Sequence, residues 1–368
     1  MTPVANVALA PFTTLKVGGA ARWYVDAKDE ADTAAAIAWA GARGIPVFVL
    51  GGGSNLVVAD AGIDGLVLHV RVSGVTWSRE GAATLVTAGA GEEWDALVGA
   101  AVARGLAGLE CLSGIPGTVG ATPVQNVGAY GQEVGRVIER VDVFDTRERT
   151  PLSLTAAECG FSYRMSRFKG PDAGRFIVTR VAFRLAPAGP TIAYPDVIAH
   201  FQQRAIMSPG LDDVRQAVIA IRRRKGMVID PADPDTRSVG SFFVNPVVGD
   251  DVHRALQAQS GDVPSFAAGA GQVKVPAAWL IERAGITRGY RMGLAAVSSK
   301  HPLALVSLPG GRAGDIIALA AHIKRRVAER FSIALNPEPV LAGFGDDPDA
   351  AYLQDTKVRR KPDTTRQG

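Results

Sequence analysis

Cysteine is nearly absent from this chain. Cys111 and Cys159 are the only two, so neither a disulfide framework nor a CxxC metal site can be assembled. Histidine is scarce too, five residues without a paired spacing, and no metal is expected. No long apolar stretch escapes interruption by glycine, proline or charge, so no membrane span is expected. The start is apolar from Pro3 to Pro11 but carries no basic residue before Lys16. A secretory signal needs a positive n-region, and the expectation is a cytoplasmic protein. The common motifs are missing as well: GxxxxGK[ST], HExxH and GxSxG do not occur, and Gly51 to Leu56 lacks the last glycine of GxGxxG. The net charge of +4 is small and spread along the chain. Without clustered basic and aromatic residues it gives no argument for nucleic acid.

What the chain does have is ordinary bulk and unusual glycine. It has 368 residues, 47% of them hydrophobic and 21% charged, enough for two or three domains. Helices are expected over 29–43, 92–104, 213–225, 277–283 and 313–331, from their apolar spacing and their stops. Strands are expected over 46–50, 66–70, 83–88, 141–145, 176–185 and 303–307. Residues 229–235, with two prolines and three aspartates, read as a loop. The polar stretch 345–368 reads as a mostly disordered tail. Arg222 to Lys225 close a helix, where cations favour the helix dipole.

The most telling segment runs from Cys111 to Gln132 without a single charge. Glycines at 114, 117, 120, 128 and 131, with Pro116 and Pro123, exclude a regular helix or strand. Such a run lets backbone N–H groups approach a ligand without side chains intervening. It equally suits a buried loop of tight turns. Gly51-Gly-Gly-Ser-Asn55 follows a buried strand, and its amides can form an anion-binding concavity. Asn55 can also bond its own turn. Together the two segments suit a diphosphate cofactor held by backbone rather than lysine, without naming it.

Several strings then stand in the order of one family: Phe12-Thr-Thr-Leu-Lys-Val-Gly-Gly-Ala20, Gly51-Gly-Gly-Ser-Asn-Leu56, Ile115-Pro-Gly-Thr-Val-Gly120, Gln125-Asn-Val-Gly-Ala-Tyr-Gly131, Tyr163-Arg164, Gly240-Ser-Phe-Phe-Val-Asn-Pro246 and Pro337-Glu338. They resemble UDP-N-acetylenolpyruvylglucosamine reductases (UDP-N-acetylmuramate dehydrogenases) in their longer, tyrosine-containing form, over roughly residues 10 to 344. The resemblance implies an α+β fold: a two-subdomain FAD-binding part of the vanillyl-alcohol-oxidase (PCMH) type, plus a C-terminal α/β substrate-binding domain. The expected divisions are 1–70 and 71–210 for the FAD-binding subdomains, 211–344 for the substrate domain and 345–368 for the tail. It implies NADPH-dependent reduction of UDP-N-acetylglucosamine-enolpyruvate through non-covalent FAD, in peptidoglycan synthesis. A monomer without nucleic-acid or membrane partners is expected.

Residue by residue, the resemblance makes Arg164 the partner of the substrate carboxylate, Ser241 the proton donor and Glu338 the carboxyl that assists the developing enolate. A guanidinium suits a carboxylate bidentately. Glu338, beside an anion, must carry its own proton. The FAD contacts implied are Gly51, Gly52, Gly53, Ser54, Asn55 and Leu56; Ser113, Ile115, Pro116, Gly117, Gly120 and Ala121; and Gln125, Asn126, Gly128, Ala129 and Tyr130. Substrate contacts are implied for Tyr194, Lys225, Asn245, Lys300 and His301. Arg167 and Lys169 read as ordinary surface cations. Pro339 after the glutamate and a longer segment from Lys225 to Ser241 depart from the pattern. The alternatives are another flavin oxidase of the same superfamily and a non-catalytic binder of flavin or sugar nucleotide.

Overall fold

The structure, a computed structural model, describes residues 2–356. Its contacts divide the chain into two units, neither continuous in sequence. The first comprises the segments up to Val7, Ala21–Gly53 and Ile63–Ile229; the second comprises Ala8–Ala20, Ser54–Gly62 and the chain from Asp230.

Two larger sheets organise the first unit, beside the two-stranded pairing of Gly128–Ala129 with Gln132–Glu133. In one, Ile63–Val70 lies between Ala20–Ala27 and Val47–Leu50, parallel to both. The helix Glu30–Gly41 connects the latter two strands, started by Asp29, whose carboxylate accepts the Asp32 N–H. The other sheet is antiparallel and centres on Phe176–Pro187, flanked by Ile138–Asp145 and Ala83–Gly89. Strand Ile63–Val70 is buried from Gly65 onward, as the apolar run Leu66–Leu68 favours. The helix Trp94–Ala103 sends Trp94, Leu97, Val98 and Ala101 into the same core as Phe183.

The second unit packs the helices Ala277–Arg283 and Ala313–Phe331 against the small sheet Arg291–Met292, Ala295–Val297 and Leu305–Ser307. The long helix buries Ile316, Ile317, Ala320, Ile323 and Val327 on one stripe. Its first amides, Ala313 and Gly314, donate to Asp60 at 2.9 and 3.0 Å. This distant carboxylate therefore caps the helix and ties 54–62 into the unit. Thr14 likewise donates to the Ser238 carbonyl at 2.6 Å. Leu56–Val58 pairs in parallel with Val340–Ala342.

Two expected boundaries are corrected. The helix Leu211–Arg224 belongs to the first unit: Val214, Ala217, Val218 and Ile221 pack on Cys111 and Tyr130. The second unit therefore starts at Asp230 rather than at 211, and takes in two earlier segments. The tail is also corrected up to residue 356. Pro348–Gln354 is a helix with Leu353 fully buried. Lys324 reaches the carbonyls of Tyr352, Leu353 and Asp355 at 3.0, 2.8 and 2.6 Å. Polar composition hid one apolar anchor and one buried cation that satisfies three helix-end carbonyls. Residues 357–368 of the expected tail lie outside the described residues.

Candidate active site

In the first unit the two glycine segments meet. The strand Val47–Leu50 delivers Gly51–Gly53 onto the backbone of Gly117 and Thr118. A Cβ on Gly52 would sit 2.6 Å from Gly117 Cα and 3.0 Å from Thr118 N, so only glycine fits. A Cβ on Gly51 would meet Thr118 Oγ1 at 3.1 Å and Ala121 Cβ at 3.7 Å. Gly117 holds φ +126°, a conformation that glycine adopts without strain. Among the described residues, the amides of Gly52, Gly53, Ile115 and Gly117 donate to no backbone carbonyl. Gly120 has a different reason: its Cβ would meet Ala90 Cβ at 2.5 Å.

The polar side chains of the uncharged run mostly turn inward. The Ser113 hydroxyl, fully buried, donates to the Glu110 carbonyl at 2.7 Å. Asn126 donates to Ser162 O at 3.0 Å and to Glu133 Oε2 at 3.3 Å, and accepts from Gly135 N at 2.9 Å. Its side chain thus braces the loop that carries Arg164. Buried Glu110 accepts from Gly108 N, Gln132 Nε2 and Thr191 N. Gly114 is held at both ends. Its N–H reaches Asp95 Oδ1 at 2.6 Å, and its carbonyl accepts from Arg222 Nε at 3.2 Å.

Arg164 stands at φ +55° in the turn between Ser162 and Met165, which exchange both backbone bonds at 3.0 and 3.1 Å. Its Nη2 donates to Gly128 O at 2.7 Å. Close by in the chain's fold, Tyr130 and Tyr194 meet edge to face with centroids 5.2 Å apart. Lys225 Nζ lies 5.9 Å from the Tyr130 centroid and 2.6 Å from Asp196 Oδ2. Burial pushes both tyrosine hydroxyls up from their ordinary value. Ala129 packs partly buried against the same cluster.

In the second unit, Ser241, Phe242 and Phe243 form one extended run. Phe242 N donates to Leu303 O at 2.8 Å on one side, and Phe242 O accepts from Glu338 N at 2.8 Å. Ser241 pairs with Ala304 and Phe243 with Pro337. Phe242 and Phe243 are essentially unexposed, which anchors the run by roughly 1.5–3 kcal/mol each. Ser241 and Glu338 are thereby brought onto adjoining backbones. Asn55 joins them: its Nδ2 donates to Glu338 O at 3.3 Å, and its carbonyl accepts from Val340 N at 3.0 Å. Leu56 begins the buried strand behind Ser54 and Asn55. Asn245 Oδ1 caps the helix Ala277–Arg283 through Ala277 N at 2.9 Å. Lys300 Nζ pairs with Asp233 Oδ2 at 2.6 Å, which raises its pKa, and the His301 N–H reaches Ser298 Oγ at 3.3 Å.

Comparison with known proteins now decides the family. A sequence model of the FAD binding domain matches residues 21–150. A model described as UDP-N-acetylenolpyruvoylglucosamine reductase, C-terminal domain, matches 231–342, starting one residue into the second unit's last segment. A UDP-N-acetylenolpyruvoylglucosamine reductase of Thermobifida fusca is 44% identical, over 92% of this chain and 97% of its own. One from Nocardia farcinica is 46% identical, over 92% and 89%. The crystal structure of the Thermus caldophilus enzyme superposes with TM-score 0.62 at 28% identity, covering 93% of this chain and 99% of that one.

The chain belongs to the UDP-N-acetylenolpyruvoylglucosamine reductase family. It is a flavin-dependent oxidoreductase, and the expected FAD-binding fold with a separate substrate domain holds. The residues present fit FAD: two glycine segments in backbone contact, with uncommitted amides and no cation among them, suit a diphosphate. Among the described residues no helix is long and apolar enough to cross a membrane, and no group of three or more His, Cys, Asp or Glu is arranged to hold a metal.

In this reductase fold, sequence reasoning missed the supports of the site. Asp95 and Arg215 form a two-pronged pair at 2.7 and 2.8 Å across 120 residues. Burial opposes the Asp95 charge, but Arg215 and the Gly114 amide outweigh it and lower its pKa. Arg222, read as a last-turn cation, does stand in the last turn of the helix, and it is buried and also reaches Met227 O at 2.9 Å. Nothing local in the sequence announces either contact. Arg167 is likewise occupied, with Asp172 at 2.8 Å.

Proposed function

We propose that this chain reduces the enolpyruvyl ether of UDP-N-acetylglucosamine-enolpyruvate, with Ser241 as proton donor and with Arg164 and Glu338 on the developing anion. FAD, when bound, supplies the two-electron chemistry between NADPH and the substrate. The amides of Gly51 to Gly53, of Ile115 and of Gly117 would hold its diphosphate. Ser54, Pro116, Ala121, Gln125, Gly128, Ala129 and Tyr130 complete the cofactor's surroundings. Ser113, Gly120 and Asn126 act through the loops they fix.

Addition of hydride to an enol ether leaves charge delocalised into the adjoining carboxylate. Arg164 meets that carboxylate with a planar guanidinium whose fork matches its two oxygens. Its bond to Gly128 O points the guanidinium, a planar group with five N–H donors. The Ser241 hydroxyl gives its proton to the carbon left electron-rich, a positioned acid worth about 10²–10⁴ in rate. Glu338 donates to the enolate oxygen. Tyr194 and Lys225 take the substrate's diphosphate, Lys225 exchanging Asp196 for a more highly charged anion. Asn245, Lys300 and His301 line the sugar and NADPH side. The reading includes a monomer acting in the cytoplasm, which two buried free cysteines suit.

The observation that carries this reading is the Ser241–Phe242–Glu338 arrangement. One buried phenylalanine, bonded through its carbonyl to Glu338 N, sets a hydroxyl and a carboxyl on adjoining backbones. An anaerobic two-step assay on the Ser241→Ala protein tests it. NADPH is expected to bleach the flavin at the unaltered rate, and recovery on adding the enolpyruvyl sugar nucleotide is expected to slow by about 10²-fold or more. Recovery at the unaltered rate removes Ser241 from the reaction.

A further inference from the structure

Beside the Gly51–Gly53 turn lies a buried polar cluster that the reaction leaves unused. Tyr24, on the strand Ala20–Ala27, and His69, on the parallel strand Ile63–Val70, are 8% and 6% exposed. Tyr24 Oη lies 2.7 Å from His69 Nδ1 and 2.8 Å from Asp26 Oδ1. Asp26 Oδ1 is also 3.3 Å from His69 Nδ1. The strand register sets His69 beside Leu50, immediately before the turn. The ring hydrogen-bonds the Gly51 backbone, a contact that favours the protonated ring and so is made by the Gly51 carbonyl. Arg71 is a further charge that acts on the ring.

Proton counting makes this cluster more than a prop. A neutral imidazole has one N–H. If the ring gives that proton to Gly51, Nδ1 must accept from Tyr24, and Asp26 then loses the tyrosine's proton. An imidazolium satisfies these three contacts at once: one N–H to Gly51, the other to Tyr24 Oη, and the Tyr24 proton to Asp26. We propose that His69 is a positioning residue for the cofactor, fixing the Gly51 peptide through a ring braced by Tyr24 and Asp26 and coupling proton uptake to retention of FAD. The proposal rests on Gly51 to Gly53 being the diphosphate cradle.

The direction of the coupling follows from charge. Burial, reinforced by Arg71, holds the ring below the ordinary histidine value, against the pull of Asp26 and Gly51. A dianionic diphosphate on the neighbouring amides favours the protonated ring, so by linkage the protonated protein holds FAD more tightly. FAD is therefore retained better on the acid side.

The test follows release of FAD from purified full-length holoenzyme by flavin fluorescence, between about pH 5.5 and about pH 8.5. Wild-type release is expected to quicken roughly two- to tenfold as the pH rises, the range set by one hydrogen bond. His69→Gln keeps a donor but cannot titrate, so its profile is expected to be flat. His69→Phe is expected to release FAD faster at every pH. Parallel profiles for wild type and His69→Gln overturn the proposal, whether or not His69→Phe folds. Gly52→Ala, measured alongside, separates the two ideas. Fast release from Gly52→Ala with parallel His69 profiles overturns the histidine's role alone. Wild-type release from Gly52→Ala overturns the cradle and the proposal with it.

Discussion

Replacing Gly52 by alanine puts the cofactor assignment under a quantitative test. The added Cβ falls 2.6 Å from Gly117 Cα and 3.0 Å from Gly117 C and Thr118 N. Carbon atoms reach comfortable contact near about 3.5 Å, so the two backbones must part by roughly 1 Å. Neither neighbour is the end of a flexible side chain that could swing aside. Without FAD the loops can relax apart, and the strain is largely relieved. With FAD bound they must close again, and an overpacking penalty of about 1–3 kcal/mol reappears as lost affinity. Displaced amides also weaken their charge-assisted bonds, each worth about 1.5–3 kcal/mol. A combined loss of about 2–4 kcal/mol weakens FAD binding roughly thirty- to a thousandfold. The assay is fluorescence titration of flavin retention, with two glycine controls. Gly120→Ala clashes with Ala90 Cβ at 2.5 Å; it is expected to lower thermal stability in proportion more than affinity. Gly44→Ala meets no atom within 4 Å and is expected to bind FAD normally, at a cost of about 1 kcal/mol for its φ of +63°. Unchanged FAD affinity in Gly52→Ala refutes the cradle.

Arg164→Lys keeps the charge but loses the planar fork. It is expected to leave flavin bleaching by NADPH intact and to cut kcat roughly 10- to 100-fold; equal kcat rules out a carboxylate clamp. Lys324→Met removes the cation that bonds three carbonyls. Hydrogen exchange at 350–353 is expected to accelerate by the equivalent of about 1.5–3 kcal/mol, and undiminished protection means the helix Pro348–Gln354 holds by Leu353 alone. The Arg175 guanidinium, with burial opposing, holds Asp145 down to about 2 from an ordinary 3.8. A depressed carboxyl contributes stability that is complete above pH 3.8 and lost as the pH falls toward about 2. Urea midpoints of wild type and Asp145→Asn are therefore expected to converge across that window; a gap independent of pH refutes the assignment.

Periodic segments were legible in the sequence because their signal is local. The helices at 277–283 and 313–331 start and stop where apolar spacing and breakers place them. The discontinuous units were not legible. Asp60 reaches Ala313 across 253 residues and Thr14 reaches Ser238 across 224, and no local pattern carries such a pairing. Nor does residue type reveal direction. The resemblance implies Ser113 and Asn126 as FAD contacts, yet the Ser113 hydroxyl bonds the Glu110 carbonyl and the Asn126 amide bonds Ser162 O, Gly135 N and the Glu133 carboxylate.

That inward turning explains why the run from Cys111 to Gln132 carries no charge. A loop built to expose its amides has surrendered the hydrogen bonds that would stiffen it as a helix or strand. Something else must hold it, and here neutral side chains inside the run and charged ones outside it do so. Ser113 and Asn126 lock turns from within. Asp95, itself fixed by Arg215, takes the Gly114 amide, while Arg222 takes the Gly114 carbonyl. On the proposed reading, His69 plays the corresponding part for the Gly51 segment. A cation inside the run would compete for the diphosphate and draw it from the amides, and an anion would repel it. On the proposed reading, charge is kept to positions that brace the peptides, and the face offered to the cofactor would be left to backbone N–H groups.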